Sequence, residues 1–474
     1  MTFVAIFLVN AALSFALSLV VAHLVGPEAF GRYAVELSVS VVINTVLFEW
    51  LRLSTTRFYS ERVRASEPRV EATLNTLYAM TSAAVVLIAG VLLVSGADLG
   101  LSPGLLAAAA AVGLSVGLFD YRTAQARARF LDRRYAALLF GRGVLAFCLA
   151  AGAAWLWREP ALALLGSAMA AAATLTLVRD KREGGIAGRF DRALLVRFAR
   201  YAVPLVAATA IYQALPLLNR AVLAGRSGFA EAGYFSLASE IAVRLFQNVG
   251  SALDLALFQL AVRAEERYGR HAGERRISQN LGIVAAIIMP SCIGLAAVWP
   301  SFEALFVPAS FRGQVAGAMM LAIPAFGAYA LVQYGLNPVF QIRHRTAPVV
   351  AAAAAALAVN VALLLAWPGA AGASGIAAVQ LIGLGAGFVV LAGLALNARA
   401  MFPWRDLAFS AGASAAMGAA LWPWREALPP LPGLIAQVFV GAAIYAVAAL
   451  AFDIGGARSA LARLSSRRRA AGHR

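Results

Sequence analysis

Lysine is nearly missing from this 474-residue chain: Lys181 stands against 39 arginines. Cysteine is almost as scarce. Cys148 and Cys292 each sit inside an apolar run with no metal-ligand neighbour, so neither a disulfide framework nor a cysteine metal site is expected. Both are read as core residues. Charge is short as well. Charged residues make up 13% of the chain, where a soluble protein carries about a quarter. HExxH, GxGxxG and GxxxxGK(S/T) are absent, as is any nucleophile–base pairing. These absences leave no signature of metallopeptidase, dinucleotide or phosphate-loop chemistry. No cofactor, no metal and no enzymatic activity are expected.

Apolar residues fill the space, at 61% of the chain and a mean hydropathy of +0.77. No water-soluble fold hides that much oily surface, so the class is an integral membrane protein. The apolar runs are about 20 residues long, enough to cross a hydrocarbon core of ~30 Å as helices. They lack the period-two alternation of a barrel. Runs bounded by charge, Gly or Pro predict fourteen spans: 2–25, 33–53, 72–95, 104–121, 135–156, 160–178, 201–224, 232–258, 280–299, 313–334, 347–367, 374–397, 406–423 and 433–452. The first is read as a retained helix and not a cleaved signal peptide.

Basic residues alternate between loops. Of the 40, 31 fall in the even-numbered loops and the C-terminal tail and five in the odd-numbered loops. Basic loops stay cytoplasmic, so both termini are expected inside a bacterial inner membrane. The net charge of +17 is then mostly topological, held in short loops beside anionic lipid, and no nucleic-acid partner is expected. The outer loops are short and leave no room for an extracytoplasmic catalytic domain. The expected organisation is an N-terminal six-helix lobe (1–178), a cytoplasmic linker (179–200) with an amphipathic piece near 190–199, and a C-terminal six-helix lobe (201–397). Two additional helices (398–452) and a basic tail (453–474) follow.

The stretch VGPEAFGRYA (25–34) sits between the first two spans. Gly26 is expected to end one helix and Pro27 to start a short outer turn. Phe30 and Tyr33 are expected to anchor at the interface, and Gly31 to let the next helix start tightly. The segment echoes further on: FGRYAVELSVS (30–40) resembles EAGYFSLASEI (231–241), each with Gly then Tyr opening a helix. Six spans separate the copies, so the halves run in parallel, a plan seen among secondary transporters.

LVGPEAFGRYA after a first helix resembles the signature of the bacterial polysaccharide-export and lipid-linked oligosaccharide flippase family, within the multidrug/oligosaccharidyl-lipid/polysaccharide (MOP) superfamily. The run from YAVPLVAATAIYQALPLLNRAVL to GYFSLASEI resembles that family's central region. The family often has Asp where this chain has Asn219. The resemblance covers residues 1 to about 400. It implies an all-α polytopic fold of two six-helix lobes in V-shaped arrangement. It also implies a polyprenyl-pyrophosphate-linked glycan as substrate, moved from the inner to the outer leaflet.

Ionisable groups inside spans are costly and usually face a cavity or one another. In the eighth span, Glu240, Arg244, Gln247, Asn248, Ser251 and Asp254 recur at steps of three and four and form one stripe. The seventh places Thr209, Gln213, Pro216 and Arg220 on one face, with Pro216 placed to break or kink the helix. The second carries Glu36, Asn44, Glu49 and Arg52, and the fifth Arg142. Two readings stand. In one, Arg244, Arg220, Arg142 and Arg52, with Gln213, Gln247, Asn248 and Asn44, line a central cavity. The arginines offer forked donors to pyrophosphate or acidic sugars, and Glu240, Asp254 or Glu49 couples transport to H+ or Na+. In the other, Glu240–Arg244 and Glu49–Arg52 are local pairs that neutralise each other. A lipid-linked glycan and membrane lipids are the expected partners. A cation-coupled drug antiporter of the same superfamily is the alternative function, and a polytopic glycan polymerase or ligase a more distant one.

Overall fold

The computed structural model describes residues 3–60, 63, 66–95, 103–179, 189–343 and 345–458, and these are helical without a strand among them. In chain order the helices are α1 (Phe3–Leu47), α2 (Glu49–Phe58), α3 (Pro68–Ser95), α4 (Pro103–Ala128), α5 (Asp132–Trp157), α6 (Pro160–Leu177), α7 (Arg192–Ser227) and α8 (Phe229–Tyr268). There follow α9 (Arg270–Phe306), α10 (Val315–Ala330), α11 (Asn337–Ile342), α12 (Ala347–Ala366), α13 (Gly372–Asn397), α14 (Trp404–Leu421) and α15 (Pro430–Phe452). A π-helical segment, Leu331–Leu336, joins α10 to α11.

Among the described residues, eleven helices are long and apolar enough to cross a membrane. α1 counts once among them but carries two predicted spans. Its 45 residues would measure ~68 Å at ~1.5 Å per residue, about twice the hydrocarbon core. α4 and α14 coincide with the predicted spans 104–121 and 406–423. Each of the fourteen spans therefore falls on a helix. Large apolar side chains face outward, among them Val94 at 91% and Val447 at 68% exposure, as a protein solvated by lipid requires.

The structure corrects three expectations. Gly26 (φ 79, ψ 175) does end one helix, but no separate turn occupies 27–32: the next helix starts at once at Pro27, whose missing N–H suits a first helical position. Phe30 and Tyr33 are buried, at 1% and 6% exposure, and stack on each other at 5.8 Å, so they pack into protein and do not anchor at an interface. Cys148 is exposed, whereas Cys292 is half-buried. In addition, α7 runs on through Pro216, and it absorbs the amphipathic piece expected near 190–199. Several helices outrun their predicted spans, because Arg-, Glu- and Ala-rich ends are good helix formers. α8 and α9 extend through VRAEERY and RHAGERRISQ. Part of the linker (180–188) and most of the basic tail (459–474) lie outside the described residues.

The chain forms two compact units, Met1–Leu237 with Ala371–Ala373, and Ala238–Ala370 with Ser374–Arg474. In the first, Phe48, Leu51, Leu74, Tyr121 and Phe198 form a buried cluster. Lipid is as apolar as leucine, so close packing of small residues holds such helices together. Gly166 on α6 shows this: a Cβ there would lie 2.7 Å from the Leu149 carbonyl of α5. The repeated Gly-Tyr segments meet in the same way. A Cβ on Gly31 would stand 1.9 Å from the Phe229 carbonyl, and one on Gly233 would stand 2.1 Å from the Pro27 carbonyl. The two echoes found in the sequence thus cross reciprocally, backbone against backbone.

In the second unit, α9, α14 and α15 pack around Ala297, Met417 and Leu421. Ser410 and Tyr445 share a 2.9 Å hydroxyl contact, and Arg343 pairs with Glu274 at 2.9 Å.

Candidate functional site

The first unit gathers polar residues from four helices inside its apolar frame. Asp120 is the centre. α4 continues to Ala128 and does not stop at the predicted 121, so Asp120 lies more than two turns inside the helix. Asn44 of α1 donates its Nδ2 to Asp120 Oδ2 at 3.2 Å. Arg142 of α5 approaches Asp120 Oδ1 at 3.6 Å, and its guanidinium lies 4.6 Å from the Phe119 ring centroid. Arg52 of α2 donates Nε to Glu49 Oε2 at 2.7 Å, with a second bond from its terminal nitrogen to Glu49 Oε1.

The cluster therefore holds two arginines and two carboxylates. The two pairs differ. Arg52–Glu49 is bidentate, the geometry that makes arginine pairs strong. Arg142–Asp120 is a looser ionic contact, beyond hydrogen-bond length. Arg142 and Asp120 keep 32% and 29% of their side-chain surface. A guanidinium stacked on an aromatic face and only loosely paired has its donor edge free for a planar or tetrahedral anion.

Other predicted residues sit elsewhere. Arg220 is buried at 5% exposure. It donates to the Ala34 carbonyl at 3.2 Å and to Ser38 Oγ, and these bonds tie α7 to α1. Gln213 is half-buried on α7. In the second unit, Arg244 donates Nε to Glu240 Oε2 at 2.8 Å, a pair within one helix. Gln247, Asn248 and Asp254 are half-buried on the same helix. Tyr334 packs against this stretch. A Cβ on Gly250 would fall 2.1 Å from its ring, and its hydroxyl reaches toward the Gln247 carbonyl at 3.5 Å. Gln333 donates to Tyr329 at 2.7 Å and accepts from Asn337. Among the described residues, no group of three His, Cys, Asp or Glu side chains is placed to hold a metal ion.

Asp120 lay inside the predicted span 104–121 but next to its end, where a charge reads as a helix-end residue, and it was not singled out. The signal was present: DYRTAQARA contains neither Gly nor Pro, so nothing in it stops a helix.

One further acid stands apart. Glu36 of α1 is 3% exposed, and its Oε2 is buried without a hydrogen-bond partner.

No family model matches the chain, and no curated protein does. Solved structures do resemble it. One described as "Lipid II flippase MurJ, inward closed conformation" aligns with a TM-score of 0.69 at 13% identity, over 95% of this chain and 98% of that one. An inward-facing multidrug resistance MATE family transporter of the MOP superfamily aligns at 0.57 and 11%, over 82% and 94%. A mutant of the Vibrio cholerae MATE transporter VcmN aligns at 0.51 and 14%, over 83% and 94%. This chain has the all-helical, multi-pass fold shared by those flippase and multidrug-transporter structures of the MOP superfamily.

Proposed function

We propose that the protein is a transporter that moves a polyprenyl-pyrophosphate-linked oligosaccharide from the inner to the outer leaflet of a bacterial cytoplasmic membrane by alternating access, with both termini cytoplasmic. The carrying observation is the meeting of Arg142 and Asn44, from separate helices, on Asp120 inside an apolar bundle, in a unit that also holds the bidentate Arg52–Glu49 pair. Two guanidinium groups suit a pyrophosphate. Asp120 stands beside Arg142 where that anion would lie. A proton arriving on Asp120 would release Arg142 to the substrate, and a proton leaving it would expel the substrate, which links transport to H+ without covalent chemistry. Within the second unit, Arg244 with Glu240, and Gln247, Asn248 and Asp254 on the same helix, are proposed to offer polar contacts to sugar hydroxyls.

The second unit supports the lipid half of the reading. A groove of about 560 Å³ runs along α9, α14 and α15, lined by Pro290, Gly294, Val298, Met417, Leu421 and Gly441 among others. Its walls are almost wholly apolar, the surface that a lipid chain requires.

Cation-coupled drug export is the second reading. The MATE likenesses and Glu36, a buried acid that a cationic drug or coupling ion would satisfy, favour it.

The test is transport in proteoliposomes carrying a polyprenyl-pyrophosphate oligosaccharide, with an externally added glycosidase reporting glycan on the outer leaflet. The intact protein should expose the glycan, and folded Arg142→Ala should not. Failure of the intact protein to move glycan lipid, with accumulation of a cationic dye against a proton gradient, would transfer the assignment to drug export through Glu36.

A further inference from the structure

Five arginines remain in the sparsely basic, odd-numbered loops, and two of them converge. Arg312 follows α9, and Arg425 lies between α14 and α15. Both line one cavity of about 570 Å³ in the second unit, together with Glu303, Glu426 and Trp299. This cavity lies at the end of α9 opposite the arginine-rich segment 259–278.

Its parts are held in place. Arg312 donates Nε to the Val307 carbonyl at 2.9 Å, a bond that does not use its two terminal amino groups. Arg425 lies over the Trp422 ring at 4.0 Å and touches Glu426 at 3.1 Å. Glu303 accepts the Gly313 backbone N–H at 2.8 Å. Trp299 forms the floor, is 2% exposed, and has an indole N–H that is buried without a hydrogen-bond partner.

Close by along the same elements the surface turns apolar. Ile293 and Ala296 on α9 face Gly418, Ala419 and Trp422 across a crevice of about 450 Å³. Ala296 stands three residues before Trp299, and Trp422 three before Arg425, so the crevice opens about one helical turn from the charged cavity.

We propose that the cavity binds the headgroup of an amine-bearing zwitterionic phospholipid. The phosphate lies against Arg312 and Arg425, the ammonium against Glu303 and Glu426, and an acyl chain in the adjoining crevice. Charge balance selects this class. Two arginines facing two glutamates match a ligand that carries one charge of each sign. A phosphatidylglycerol or a polyprenyl pyrophosphate would leave both carboxylates facing an anion. The site is separate from the polar cluster of the first unit, and the proposal does not rest on the flippase reading.

The experiment measures lipid retained by purified full-length protein, by native mass spectrometry after equilibration with vesicles of equimolar phosphatidylethanolamine and phosphatidylglycerol. The intact protein should retain phosphatidylethanolamine preferentially. Arg312→Gln with Arg425→Gln should weaken that retention about tenfold or more, the size of a lost charge-assisted contact. Glu426→Gln tests the ammonium half without threatening the fold, because this side chain is 66% exposed. It should shift the preference toward phosphatidylglycerol. Unchanged phosphatidylethanolamine retention in both variants, or equal retention of phosphatidylglycerol by the intact protein, would overturn the proposal. Stronger capture of an added polyprenyl pyrophosphate by this same cavity would overturn it as well.

Discussion

Gly31→Ala and Gly233→Ala should each destabilise the first unit, and the pair should cost less than their sum. The magnitude follows from geometry. Ordinary contact begins near 3.4 Å, but the added methyl groups would lie 1.9 Å from the Phe229 carbonyl and 2.1 Å from the Pro27 carbonyl. At each position α1 and α8 must therefore part by about the length of one Cα–C bond. Backbone cannot rotate aside as a flexible side chain can, so each substitution should cost the roughly 1–3 kcal/mol of overpacking. Once one methyl has opened the crossing, the second finds room already made. The double variant should therefore fall short of additivity by about 1 kcal/mol or more, within the usual range for contacting residues. Gly26→Ala is the control. Its glycine has φ +79 and nothing within 4 Å of a Cβ, so its cost is backbone strain alone. Combined with Gly233→Ala, it should add within about 0.5 kcal/mol. Equilibrium unfolding in mixed micelles measures all these variants. Additive Gly31 and Gly233 effects would refute a glycine-mediated crossing. So would single effects below about 0.5 kcal/mol, the range of a neutral surface substitution.

Other substitutions separate structure from transport. Arg220→Ala should lower stability by about 1.5–3 kcal/mol, the worth of hydrogen bonds to a charged group, because it frees the Ala34 carbonyl and Ser38; unfolding curves check this. Gly294→Phe should fill the apolar groove of the second unit, where a Cβ has only Met417 at 3.7 Å. Transport of a long-chain polyprenyl substrate should then fall, while that of a short-chain analogue stays unchanged. Glu36→Leu removes a carboxylate whose Oε2 is buried without a partner. It should raise stability by about 1–2 kcal/mol, the scale of burying an unsatisfied polar group, as unfolding in micelles would show.

What was legible in the sequence was whatever the membrane itself dictates. A bilayer demands about 20 apolar residues per helix, so all fourteen spans could be read off. The Arg52–Glu49 and Arg244–Glu240 pairs were legible through helical spacing. Asp120 was not. Its partner Asn44 lies 76 residues away along the chain and its partner Arg142 on the next helix, and no local period encodes such a meeting. Phe30 and Tyr33 misled for a related reason. Aromatic residues beside a Gly-Pro break suit an interface, but the Gly31–Gly233 crossing carries them into protein, and that contact exists only in three dimensions. Arg220 has the same sequence signature as Arg142, a lone arginine in mid-span. Only the fold distinguishes the one bonded to a neighbouring helix from the one stacked beside a loosely held acid.

The most direct test measures binding of a polyprenyl-pyrophosphate lipid to Arg142→Ala and Asp120→Asn side by side, with thermal stability as the companion readout. If Asp120 stands where the pyrophosphate will lie, Arg142→Ala weakens binding while Asp120→Asn tightens it by up to about fivefold, the worth of removing a competing, partly exposed ion pair of up to about 1 kcal/mol. The tightening should appear even as stability falls. If instead both variants lose binding in parallel with stability, Arg142 and Asp120 serve only to hold α4 and α5 together, and the cluster is not the anion site.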